Sequence, residues 1–414
     1  MYRPKNNRRI LVIYGEKGIK IFVEETMTTI IGLTGSFGSG CTHIAKDYLE
    51  KRGFKYISLS SILKNKYFTN NRKEAENRQQ LQDYGNKLRS ENGPEFLAKI
   101  AVEEIQKGSK ETKWVVDSIK NPGEVKFFRN LYPHFYLFGV FADYEVRWKR
   151  KKDKYQENEG IFKKDDKRDS SEEYEYGQRV RDCFSLSDVI ISNNIDYSPG
   201  NDDQLAMEAK IDSYLKLIER PSSRPPTQEE SLMAMAYANS QRSSCLKRKV
   251  GAIIVDENGF LFSSGYNEVP LGEKPCKNGY GRCYRSLIKD QFNKVIDDLE
   301  KDPEKNKALK TQFITKIKIL DHCRALHAEE NAILNVARFG SSIALKGATL
   351  YTTTYPCNLC ANKIAQVGIK KLVYLEPYPM EEAKVTLNSS GIEQKPFEGV
   401  SFIGFFKFFG GEII

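Results

Sequence analysis

His327-Ala328-Glu329, answered further on by Pro356-Cys357-Asn358-Leu359-Cys360, decides how the second half of this chain folds. One imidazole and two thiolates supply three ligands of a tetrahedral Zn²⁺ and leave its fourth position open to water. Both pieces stand where helices begin. Residues 327–339 have an amphipathic pattern ending at Gly340, and 357–367 form a second such run ended by Gly368. The partial positive charge at a helix start favours the thiolates of Cys357 and Cys360. Bound zinc lowers the pKa of water toward neutrality. Glu329, two residues from the imidazole, reaches that water without ligating the metal. A reaction that adds water to a ring carbon and expels an amine needs such a proton carrier. A closed zinc ribbon would need a fourth protein ligand and would leave Glu329 idle.

Outward from these motifs the pattern is mixed α/β. Residues 251–255, the turn Glu257-Asn258-Gly259 and residues 260–263 read as a hairpin. Residues 348–354 and 371–375 read as strands. A long insertion lies between Pro270 and Asp321, with a charged, helix-prone stretch at 287–319.

His-x-Glu paired with Pro-Cys-x-x-Cys is the zinc deaminase signature. Ser244-Cys245-Leu246-Lys247-Arg248-Lys249-Val250-Gly251-Ala252-Ile253-Ile254, Gly265-Tyr266-Asn267, His327-Ala328-Glu329-Glu330-Asn331-Ala332-Ile333 and the run 351–360 together resemble the dCMP deaminase branch of the cytidine deaminase superfamily. The resemblance implies His327, Cys357 and Cys360 as zinc ligands and Glu329 as the catalytic proton carrier. It also implies that Asn267 contacts the nucleoside, that the Ala328 backbone meets the base, and that Tyr355 walls the pocket. An amide that both donates and accepts suits the first role, and an aromatic face suits a pyrimidine. Tyr355 also reads as core filler. Some members carry a second, structural zinc on a His-Cys, Cys, His-Cys set. Here Cys276, Cys283, His322 and Cys323 fall in that interval, with Pro275 where the first His would stand. Ordinary buried thiols are the competing reading of these residues.

The first half alternates short apolar runs with helical patterns. Strands are expected at 29–34, 114–117, 136–141 and 189–192, and spacing by helices points to a parallel sheet. The first run leads into Gly35-Ser36-Phe37-Gly38-Ser39-Gly40-Cys41-Thr42. A strand, a glycine-rich turn and a helix start make a nest of backbone N–H groups for an anion. The Walker A pattern places Lys before the Ser/Thr, and Cys41 stands there instead. Asp117 closes a buried strand as a Walker B acid would, and the basic run from Arg147 resembles a nucleoside-monophosphate-kinase lid. Residues 28–200 therefore resemble a P-loop nucleotide kinase, with Gly35, Gly38, Gly40, Thr42 and Asp117 as nucleotide-binding candidates. Without the lysine, binding of a nucleotide or regulatory RNA is expected rather than phosphoryl transfer.

A P-loop kinase-like domain fused to a dCMP-type deaminase is similar to the antiphage dCTP deaminase family. That resemblance implies deamination of dCTP or dCMP, which drains the pool an infecting phage needs, and a homo-oligomer. A housekeeping dCMP deaminase supplying dUMP for thymidylate synthesis and a polynucleotide-editing deaminase are the alternatives. An editing enzyme needs a basic, aromatic track. Residues 287–319 mix both charge signs, with Phe313 and Phe292 as aromatics.

Composition agrees with this class. The 414 residues, net charge +10, and 40% hydrophobic content exclude wholesale disorder and suit two to three soluble domains. No run is long and apolar enough to span a membrane. Eight cysteines without a secretory signal point to thiols or metal ligands in the cytoplasm. Pro221-Ser222-Ser223-Arg224-Pro225-Pro226-Thr227 marks a seam. The expected division is an extension at 1–27, the kinase-like domain at 28–200, a helix and Pro-rich linker at 201–227, and the deaminase domain at 228–414. The expected fold is α/β throughout: a parallel sheet with helices first, then a cytidine-deaminase-like α/β/α sandwich. The extension reads either as a hairpin of residues 10–14 and 19–23 or as upstream sequence before a natural start at Met27. The second reading is the expectation.

Overall fold

The computed structural model describes residues 8–15, 18–25, 28–108, 113–170, 172, 175–195, 202–316, 323–338, 345–376 and 381–410. The extension forms a hairpin. β1 (Arg8–Gly15) pairs antiparallel with β2 (Gly18–Glu25), from Arg8 opposite Glu25 to Gly15 opposite Gly18. It is a sheet of its own, hydrogen-bonded to no other described strand.

The next strands are β3 (Thr29–Thr34), β4 (Lys55–Ser58), β5 (Lys113–Asp117), β6 (Phe135–Phe141) and β7 (Val189–Ser192). They lie in the order β4-β5-β3-β6-β7, each parallel to its neighbours. The near-continuous apolar runs are what burial on both faces requires. Ile31 and Leu33 pack to one side with Ile44, Leu49, Val115 and Phe138. Ile30 packs to the other with Leu97, Ala101, Val116 and Phe128. Patterning does not single out β4, because Lys55-Tyr56-Ile57-Ser58 is too short and too mixed to read as a buried strand. The helix after the glycine-rich turn begins at Cys41, widens over Ile44–Leu49, tightens over Glu50–Arg52 and stops at Gly53, whose φ is +83°.

The second unit spans Pro226–Phe397. Its sheet holds β8 (Gly251–Val255), β9 (Leu261–Tyr266), β10 (Thr349–Thr352), β11 (Lys371–Tyr374) and β12 (Glu393–Pro396), in the order β12-β11-β10-β8-β9. β10, β11 and β12 run parallel, and β8 is antiparallel to both β10 and β9. The Asn-Gly turn forms as expected. Gly259 adopts φ +84°, and Asp256 Oδ1 accepts from the N–H groups of Asn258 and Phe260 at 2.9 and 2.8 Å. The described part of the insertion holds three helices, Cys276–Tyr280, Tyr284–Leu299 and Pro303–Lys316.

Two expected boundaries need correction. The Asp203–Glu219 helix, assigned to the linker at 201–227, belongs to the first unit, because its stripe of Met207, Ile211, Tyr214 and Leu217 is buried in that unit's core. The deaminase domain, expected at 228–414, ends at Phe397, and Glu398–Ile414 falls with the first unit. There β13 (Gly399–Val400) pairs antiparallel with the outer edge of β7. Val400 and Phe408 then join the first unit's core, with Phe408 stacked on Tyr136 at 5.4 Å. No helix among the described residues is long and apolar enough to cross a membrane.

Candidate active site

The three expected ligands converge. His327 Nδ1 lies 3.3 Å from Cys357 Sγ and 3.4 Å from Cys360 Sγ. Among the described residues, these are the one set of three metal-ligating side chains whose donor atoms all lie within 4.8 Å of one another. A nitrogen and two sulfurs at this spacing fit a zinc ion.

Local chemistry puts them there. His327 immediately precedes the Ala328–Arg338 helix, and its carbonyl accepts from Asn331 N at 2.9 Å. Cys357 caps the Asn358–Gln366 helix, and Cys360 sits in that helix's first turn. Glu330 and Lys363 tie the two helices at 2.6 Å. Asn331 and Asn335 pin the first helix to β9 by donating to the carbonyls of Tyr266 and Ser264 at 2.8 and 2.9 Å. Gly265 is required at this crossing, because a Cβ there would collide with the Ala328 carbonyl oxygen and the Ala332 nitrogen.

The cluster is electrostatically prepared for a cation. A hydrogen bond from Cys360, then one from His327, hold the Cys357 thiol down at about 4. Cys360, as donor to Cys357 and deeply buried, moves up. The bond to Cys357 raises the His327 imidazole above its ordinary value. Glu329 is 3% exposed, and burial raises its carboxyl. Its Oε1 accepts from the Thr352 hydroxyl at 3.1 Å, a neighbour that sequence reasoning missed.

The expected substrate-facing residues are less uniform. Ala328 is fully buried at the start of the Ala328–Arg338 helix. Asn267 is committed to the backbone: its Oδ1 accepts from Val250 N at 2.7 Å and its Nδ2 donates to Arg248 O at 2.9 Å. Tyr355 is buried, edge-on to Tyr374 at 4.9 Å, and its hydroxyl bonds Gln394. Cys276, Cys283 and Cys323 line one pocket, joined there by Cys245, while His322 lies outside the described residues. Cys245 was legible in the Ser244-Cys245 motif, but nothing in its spacing marked it as a partner of the other three.

In the first unit the glycine-loop candidates come together. Gly38 and Gly40 adopt φ +87° and +99°. A Cβ on Gly35 would strike the Val140 carbonyl oxygen. Thr42 Oγ1 donates to Asp117 Oδ2 at 2.7 Å, joining the loop to the end of β5. Cys41, where a lysine would stand, is half-buried, and desolvation pushes its thiol up to about 12. It offers no charge to a phosphate. The expected lid cation Arg147 is otherwise engaged, bonding Asp166 and the Phe37 carbonyl, the latter at 3.1 Å.

Comparison with known proteins agrees with the second unit's geometry. Residues 226–376 match the family described as "Cytidine and deoxycytidylate deaminase zinc-binding region". The deoxycytidylate deaminase of Enterobacteria phage T2 is 36% identical over 177 residues, which is 39% of this chain and 88% of that protein. That of Enterobacteria phage T4 is 36% identical over 176 residues, 39% of this chain and 86% of that protein. The crystal structure of dCMP deaminase from the cyanophage S-TIM5, in complex with dCMP and dUMP, is 27% identical. It covers 42% of this chain and 99% of its own, with a TM-score of 0.29.

Proposed function

Because the chain belongs to the cytidine and deoxycytidylate deaminase family, we propose that it hydrolytically deaminates free deoxycytidine nucleotides, dCTP and dCMP, to the uridine nucleotides and ammonia. The observation that carries this reading is the meeting of His327, Cys357 and Cys360 beside the buried Glu329. Zinc held by those three side chains supplies a Lewis acid that makes water nucleophilic near neutral pH. Glu329 takes a proton from the attacking water and returns it to the exocyclic nitrogen leaving C4. Burial excludes bulk water from that transfer. The Ala328 backbone meets the base. Asn267 contacts the nucleoside through the donor and acceptor capacity its backbone bonds leave over, and Tyr355 walls the pocket.

The fused glycine-loop unit favours a dCTP-draining, antiphage role over housekeeping supply of dUMP. Its uncharged Cys41 favours binding of a nucleotide or RNA without phosphoryl transfer.

Purified full-length chain is incubated with dCTP, dCMP, CTP and single-stranded DNA, and ammonia is measured. Release from the free deoxynucleotides is the expected result. Release from DNA alone, or from none of the four, would overturn the reading.

A further inference from the structure

We propose that Thr352 is the positioning residue that holds the Glu329 carboxyl group for proton transfer, an assignment that rests on the deaminase reading above. Thr352 is the last residue of β10 and is fully buried. Its strand is hydrogen-bonded on both sides, with Thr352 opposite Ala252 on β8 and Tyr374 on β11. The backbone that carries the hydroxyl is therefore held from two directions. The hydroxyl lies 3.1 Å from Glu329 Oε1 and 3.0 Å from the carbonyl oxygen of Thr354.

A hydroxyl has one hydrogen and can also accept. With two acceptors in reach, Thr352 serves one of them at a time. Its hydrogen bond gives the buried Glu329 carboxyl oxygen a fixed partner, where an orphaned polar atom is costly. Thr354 belongs to the segment that runs into Pro356 and Cys357, so one hydroxyl touches both the proton carrier and the chain that brings in a thiolate. Among the described residues, Thr352 alone donates a side-chain hydrogen bond to Glu329.

Thr352→Val removes the hydroxyl and keeps the shape, and Thr352→Ser keeps the hydroxyl and removes the methyl. Both are compared with the unaltered full chain for zinc content, for kcat and KM on whichever of dCMP and dCTP is turned over, and for the crystallographic position of the Glu329 carboxyl. In the valine variant kcat should fall about 10- to 100-fold, the loss of a charge-assisted hydrogen bond. KM and zinc content should hold, and the carboxyl should shift. The serine variant should keep kcat within about threefold of the unaltered chain. An unmoved carboxyl or unchanged kcat in the valine variant would overturn the assignment. So would an equal loss in the serine variant, which would make the methyl the active feature, or loss of zinc in the valine variant alone, which would make the hydroxyl structural. Absence of turnover by the unaltered chain would instead sink the deaminase reading and this assignment with it.

Discussion

Glu329 and Cys357 sit within one buried cluster, yet their removal should fail differently. Glu329→Gln keeps the volume and the three metal ligands but cannot carry a proton. Zinc content should stay near wild type while kcat falls by roughly 10²–10⁴. Cys357→Ala takes away a ligand, so zinc and turnover should be lost together, read by metal analysis of the purified variant. A second residue-scale test concerns Asp169, buried beneath Arg78, Lys120 and Gln82 in the first unit. Burial alone would raise its carboxyl, but Lys120 and Arg78 outweigh it and hold the group at about 2, against an ordinary 3.8. A depressed pKa contributes stability that is present above pH 4 and is lost as pH falls toward 2. The contribution is about 2 kcal/mol. The Tm gap between wild type and Asp169→Asn should therefore narrow as pH is lowered from 5 toward 2. A gap that stays constant over that range would show that the ion cluster does not act through this carboxylate.

At the scale of elements, β1 and β2 pair only with each other among the described strands. Two strands alone are marginal in water. A chain beginning at Met27 should accordingly melt and deaminate like the full chain, and a drop of several degrees in Tm would show that the hairpin supports the fold. The active-site elements differ in kind. The Ala328–Arg338 and Asn358–Gln366 helices, the Asn-Gly hairpin and strands β3, β5, β6 and β7 were legible because each has a local mark: a periodicity, a turn pair or a β-branched run. β4 and β12 carry no such mark. Lys55-Tyr56-Ile57-Ser58 and Glu393-Gln394-Lys395-Pro396 become strands only because β5 and β11 offer them an edge. The Asp203–Glu219 helix was recognised as a helix but assigned to a linker, since an apolar stripe reveals that a face is buried without revealing what covers it.

For the whole molecule, the return of the last segment to the first unit makes a test. A chain ending at Phe397 keeps every described strand of the zinc-site sheet but loses β13 and the Phe402–Phe409 helix from the first unit. It also uncovers Tyr136 and the edge of β7. Burying Val400 and Phe408 is worth about 3–6 kcal/mol together. The first unit's melting transition should therefore drop while zinc binding in the second unit persists, and an unshifted transition would show the tail to be dispensable. The tail's place was not legible, because a two-residue strand and an aromatic helix carry no address. The amino-acid sequence by itself determined the donor set His327, Cys357 and Cys360, the glutamate two residues from the imidazole, the glycine loop that lacks its lysine, and the helices and turns that carry them. Each of these is a matter of residue type and spacing within a short window. Only the tertiary structure decided the strand order, the return of the tail, the entry of Cys245 among the other thiols, the commitment of Asn267 to backbone groups and of Arg147 to Asp166 and the Phe37 carbonyl, and the meeting of Thr352 with Glu329. Those depend on which distant segments burial and backbone hydrogen bonding bring side by side, and no local pattern encodes that choice.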